Sequence, residues 1–173
     1  ESVRQAQAET TALLDLSRKL TAATDRQAVI AAAMQQFGHW PELEVRLQVA
    51  EADGTWRVEA GEADVLSEPE RAAAQWAWQH DQAAGLGTDT LPSGRWWWCP
   101  LSAEEGPLSL LGIRPQSGAA LSPAQRRLIT ALAQPLAQAL ARAQLAEELE
   151  AARLHGQTEE LRSALLASVS HDL

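Results

Sequence analysis

The sequence predicts an α+β domain, an antiparallel sheet with helices on both sides and long N- and C-terminal helices.

 

Three observations predict it. Two segments alternate apolar and polar residues with period two, and each folds back across a turn signal. Runs with apolar residues at helical spacing flank and separate them. One strand carries Trp96-Trp-Trp98, so both of its faces are apolar and both need a cover.

In chain order, residues 2–22 read as a helix, with Val3, Ala6, Leu13, Leu16 and Leu20 forming a broad apolar stripe. Thr24 or Asp25 caps a second helix, in which Val29, Ile30, Ala33, Met34 and Phe37 recur at helical spacing until Gly38 ends it. From Leu43 the period becomes two: Leu43, Val45, Leu47 and Val49 alternate with Glu44, Arg46, Gln48 and Ala50. Asp53-Gly54 turns the chain into a partner strand, Trp56 to Ala60. Ser67-Glu-Pro-Glu70 reads as a capping box with proline in the first turn, opening a helix to about His80. Residues 85–92 read as a loop. A second hairpin follows, residues 95–103 and 108–114, around Glu104-Glu-Gly-Pro107. Leu121-Ser-Pro123 then starts a helix able to run some fifty residues to the end.

Composition narrows the class. Of 173 residues, 46% are hydrophobic and 21% charged, the balance of a folded domain rather than a disordered chain. A net charge of −9 argues against a nucleic-acid partner, which selects a basic face. No run of 18 apolar residues is present, so no membrane insertion is expected of this stretch, and no signal peptide is expected at its start. The single cysteine, Cys99, excludes an internal disulfide framework and suits a reducing compartment. His39 and His80 lack neighbours at metal-ligand spacing, so no metal site is expected. Gly85-Leu-Gly87 lacks the third glycine of a dinucleotide loop.

The last ten residues carry the chemistry. At about 100° per residue, Leu161, Leu165, Val169 and Leu173 share one stripe. His171 points roughly 200° from the middle of that stripe, among the small residues Ala164, Ala167 and Ser168. That displays an imidazole on a helix held by its other side, and Asp172 can bias its tautomer and basicity. A solvated surface histidine is the plain alternative. Ser168-Val-Ser-His-Asp-Leu173, preceded by Leu161-Arg-Ser-Ala-Leu-Leu-Ala167, resembles the phosphoacceptor box of bacterial sensor histidine kinases. The resemblance implies that His171 takes the γ-phosphoryl group of ATP and passes it to an aspartate on a response regulator, with Asp172 modulating it.

The order of elements resembles a GAF domain, a small ligand-sensing module found upstream of such kinases. Gln75-Trp-Ala-Trp78 with His80, Gly87-Thr-Asp-Thr-Leu-Pro92 and Leu121-Ser-Pro-Ala-Gln-Arg-Arg127 narrow the resemblance to potassium-responsive sensor kinases. It implies a cytoplasmic part of an inner-membrane protein that controls a potassium-uptake ATPase through its response regulator. The division is then a connector helix (residues 1–22), a GAF-like sensor domain (23–143), a signalling linker (144–160) and the start of the phosphoacceptor, dimerising helix (161–173). A homodimer through the terminal helices is expected. ATP and Mg belong to the parent kinase and no cofactor is expected here, so this stretch alone should be inactive. The other function class is a stand-alone small-molecule-binding domain with no kinase role.

The tryptophans admit two readings. Trp96 and Trp98 face one way and Trp97 with Cys99 the other. The helix bearing Trp76 and Trp78 would lid one face, leaving a small-molecule pocket with Trp76, Trp78, Trp96, Trp97 and Trp98 as walls and Asp89 as polar anchor. Alternatively these aromatics are ordinary core, because the region supplies few convergent polar groups. Along the exit helix, Ile129, Leu132, Leu136 and Leu140 form one stripe to which Leu154, Leu161 and Leu165 return, while Leu145 and Leu149 fall almost opposite. Pro135 and Gly156 interrupt it further. Either the middle stretch packs on the N-terminal helix, or it has two packings of similar energy that set the geometry of His171.

Overall fold

The computed structural model describes residues 2–172; Glu1 and Leu173, the latter part of the expected stripe and box, lie outside the described residues. The chain runs α1 (Ser2–Ala22), α2 (Arg26–Phe37), β1 (Leu43–Ala50), β2 (Trp56–Gly61), α3 (Glu68–His80), β3 (Ala84–Gly85), β4 (Trp97–Ala103), β5 (Gly106–Pro115) and α4 (Pro123–Asp172). The five strands form one antiparallel sheet in the order β2-β1-β5-β4-β3.

Local chemistry sets the ends of the elements. Asp25, rather than Thr24, caps α2, its carboxylate accepting the Ala28 N–H at 2.8 Å. The capping box of α3 is complete, with Glu70 accepting the Ser67 N–H at 2.9 Å. Ser122 and Gln125 exchange the same pair of bonds at the start of α4. One strand was not expected from the sequence: Ala84–Gly85 pairs with Trp98 and Trp97 at the start of the expected loop. Two residues are too few to show a period.

The sheet sorts its side chains into two cores. Val45, Leu47, Trp97, Cys99, Leu101, Leu111 and Ile113 face α2 and α4. Trp96, Trp98 and Leu110 face α3, with Ala73, Ala74 and Ala77 packed against them. Both faces of the tryptophan strand are therefore covered, and α3 is the lid on one of them. Gly112 makes this possible, since a Cβ there would stand 2.5 Å from the Trp98 ring.

α1 lies on the same side as α4 but packs on α2 and α4, while α2 and α4 hold the sheet. Glu9 of α1 pairs with Arg127 of α4 at 3.5 Å, and Arg26, just past α1, lines a cleft with Gln144 and Glu147. α1 and α4 thus run in the same direction. The chain enters the domain at one end and leaves it, along α4, at the other.

Candidate functional site

α4 is a single helix of 50 residues, roughly 75 Å long at 1.5 Å per residue. Its first part is tied to the sheet by Ile129, Leu132, Leu136 and Leu140, all buried. His171 and Asp172 stand at its far end, both exposed. Leu161, Leu165 and Val169 are 63%, 60% and 59% exposed on the side away from the imidazole. Ala164, Ala167 and Ser168 leave the space beside His171 low and open. An imidazole in that setting can meet an incoming electrophile along its lone-pair direction, which an in-line phosphoryl transfer requires.

The tryptophan candidates do not converge on one space. Trp96 and Trp98 are fully buried and stack on each other with ring centroids 5.5 Å apart. Trp97 is on the opposite face of the sheet, in the α4-side core. Trp76 stacks on His80 at 4.3 Å, and Trp78 meets Trp56 edge-on at 5.6 Å. Asp89 is exposed on the loop after β3. Stacked indoles thus occupy the ground between the lid and the sheet.

The α3 side of the sheet holds more polar groups than the sequence reading allotted to it. Arg46, Gly112 and Trp98 are successive partners across the sheet, so Arg46 shares the face of the indoles. Arg46 is buried, donating to Gln48 Oε1 at 2.6 Å and to the Asp64 carbonyl at 2.8 Å. Burial pulls its pKa below the ordinary arginine value. Arg114 lies 4.6 Å over the Trp96 ring and donates to Glu44 and, at 2.9 Å, to Asp64. The Arg114 hydrogen bond holds Asp64 below the usual carboxylate range. For Glu70 burial pushes upward, but the backbone N–H groups of Ser67 and Arg95 outweigh it and hold its carboxyl low. The clue was in the alternation of β1. Glu44, Arg46 and Gln48 alternate with Leu43, Val45 and Leu47 and so share the face of the indoles, where Arg114 pairs with Glu44 and Asp64 with Arg46.

α4 also forms one wall of an open groove of about 700 Å³ against β4. Cys99 stands in its opposite wall, where burial, with Asp81 adding, pushes the thiol up to about 12. That thiol is a poor nucleophile at neutral pH. Among the described residues no group of three or more His, Cys, Asp or Glu could hold a metal ion, and no helix is long and apolar enough to cross a membrane.

Comparison with known proteins agrees with this architecture. The chain is 39% identical over 103 residues to the sensor protein KdpD of Escherichia coli, covering 59% of this chain and 12% of that protein. It is 32% identical over 114 residues to the sensor protein KdpD of Clostridium acetobutylicum, covering 66% of this chain and 13% of that one. The chain thus matches about an eighth of the length of these curated relatives. Among solved structures, the GAF domain of the Escherichia coli potassium sensor histidine kinase KdpD superposes with a TM-score of 0.65 at 24% identity, covering 81% of this chain and 99% of that one. A methyl-accepting chemotaxis protein superposes with a TM-score of 0.60 at 14% identity, covering 76% and 98%. These two show the shared fold. The family model for the GAF domain matches residues 41–142, more than half of the chain. The chain belongs to the GAF domain family.

Proposed function

We propose that this chain is the cytoplasmic sensory and dimerisation module of a two-component sensor histidine kinase that regulates potassium uptake. In this reading α4 carries the state of the GAF domain to His171, the phosphoacceptor, and Asp172 tunes the ring. The parent is an inner-membrane kinase that binds ATP and Mg in a separate domain, and its partner is a response regulator of the KdpE type. The observation that carries the reading is the continuity of α4. One helix passes from the buried contacts at Ile129 and Leu132 to the exposed His171 without a break. The matches to two KdpD sensor proteins support it.

The exposed leucines support the dimer. Leu161, Leu165 and Val169 form an apolar stripe that buries nothing within the chain, and two such stripes side by side would cover each other. Parallel entry and exit helices suit a twofold axis along α4.

The test is a longer chain that includes the ATP-binding domain, supplied with labelled ATP and Mg. Acid-labile phosphate should accumulate on the wild type and vanish in His171→Gln, with the helical circular dichroism of the two unchanged. Wild-type labelling of that variant would place the acceptor elsewhere and end the proposal.

A further inference from the structure

The two faces of the sheet meet solvent differently at their edge. Under α3, Trp96 and Trp98 fill the space. Along α4 an open groove of about 700 Å³ remains at the margin of β4, and its origin is plain in the sequence. Ala133, Ala137 and Ala141 recur every fourth residue and give α4 a wall of methyl groups. β3 is two residues long, so β4 beyond Trp98 has no neighbouring strand on that side. The turn after α3 comes across instead, with Asp81 accepting from the Ser102 hydroxyl.

The lining has a definite chemistry. Its apolar part is Trp97, Cys99, Pro100 and the alanines, and its hydrogen-bonding groups on α4 are Thr130, Gln134 and Gln138. Asp81 and Glu104 add two carboxylates, and no lysine or arginine stands among the described residues that line it. The volume falls in the range of small-molecule sites, roughly 300–1,000 Å³. A chain with a net charge of −9 and a carboxylate-only rim repels anions and attracts cations.

We propose that this groove binds an organic cation, a protonated amine whose apolar body rests on Pro100, Ala137 and Ala141 while its ammonium group faces Asp81 and Glu104. Such a ligand touches the exit helix directly, on the stretch that ties α4 to the sheet. It acts on α4 without passing through the packed α3 side. The proposal concerns binding to this chain and stands whether or not His171 accepts phosphate.

Three probes with one ring system test it: tryptamine as the cation, tryptophol as the neutral form and indole-3-acetate as the anion. Amide chemical shifts of the chain report where each binds. Cys99, the single cysteine, adds a second readout through its rate of labelling by a thiol reagent. Tryptamine should shift Cys99, Ala133 and Ala137 saturably and slow the labelling, tryptophol should bind more weakly, and indole-3-acetate should leave all three unmoved. Asp81→Asn and Glu104→Gln should each weaken tryptamine roughly two- to fivefold, the scale of one exposed charge interaction. Asn tolerates the left-handed backbone of Asp81 (φ 53°), so the fold should survive both changes. Equal affinity for indole-3-acetate, shifts centred on α3, unchanged affinity in the double variant, or no saturation by about 10 mM tryptamine would each overturn the proposal.

Discussion

From Ile129 to Ala143, α4 buries eight residues against the rest of the domain. From Leu145 to Asp172 every residue is exposed. Yet Leu154, Leu161 and Leu165 return to nearly the angular side that Ile129 and Leu132 occupy. The same leucine spacing is a domain core in the first half and an open stripe in the second. Between the halves Glu147 and Glu150 take the seam, and Leu145 and Leu149 sit opposite, 56% and 63% exposed. Helical periodicity therefore tells which side of a helix is sticky and is silent on what covers it. Where the sheet runs out, the proposed partner helix would do the covering.

The largest effects should separate the halves. Leu136 is fully buried, so Leu136→Ala should cost about 2–5 kcal/mol of domain stability, read as a lower midpoint in urea. Leu165→Ala should leave that midpoint within about 0.5 kcal/mol, since the side chain is 60% exposed. Its effect belongs in self-association, where sedimentation should show a weaker dimer. A large loss of domain stability from Leu165→Ala would mean that the stem folds back on its own domain.

Cutting the chain after Glu148 should sharpen the contrast next. The buried residues of α4 all precede that point, so the domain should keep its fold and its unfolding midpoint. The stem leucines go, and with them the proposed dimer should be lost. Sedimentation of the shortened chain should show monomer at concentrations where the full chain is dimeric. A dimer that survives the cut would move the interface to α1 and the domain half of α4.

Much of this contrast was legible in the residues. Ser67-Glu-Pro-Glu70 announced α3 because a capping box is a local device, and the alternation Leu43, Val45, Leu47 announced β1 for the same reason. The two-way split of Trp96, Trp97 and Trp98 followed from the pleat alone. What stayed hidden depends on three-dimensional neighbours. β3 exists because Trp97 and Trp98 offer it an edge. Arg46 alternates with the apolar residues of β1, and nothing local shows that the Asp64 segment folds onto it; the groove beside Cys99 needed Ala133, Ala137 and Ala141 to be set against a strand with no outer neighbour. The pocket expected from five tryptophans and Asp89 assumed that they share one space, and the pleat together with the loop keeps them apart.

Acid should act on the domain half. Asp64 is held low by the Arg114 hydrogen bond, and Glu70 is held low by the Ser67 and Arg95 amides against the upward push of burial. A depressed folded pKa stabilises the domain above the unfolded value, about 4, and that stability is lost as the pH falls through the folded value. The domain midpoint should therefore drop below about pH 4. Urea midpoints read by far-ultraviolet dichroism from neutral pH to mild acid should show the domain weaken, and a midpoint that stays flat across that range would mean that neither carboxylate stabilises the fold.

The smallest effect is the cleanest probe of the stem alone. Gly156 lies inside α4 where a Cβ would meet nothing within 4 Å, so alanine there adds no contact and no clash. What remains is backbone entropy. Glycine is less favourable than alanine in a helix interior by roughly 0.5–1 kcal/mol, because its unfolded chain has more conformations to lose. Gly156→Ala should raise helical dichroism and slow amide exchange from about one turn before residue 156 to one turn after it. The urea midpoint of the domain should not move, because the buried contacts of α4 end at Ala143. Phosphate uptake in the longer chain gives the functional side of the same test. If the weak point at Gly156 lets the stem adopt two packings, stiffening it should change the rate of labelling at His171 while leaving the acceptor unchanged. Unchanged rates with the expected gain in helicity would show that Gly156 is only a tolerated weakness in a rigid rod.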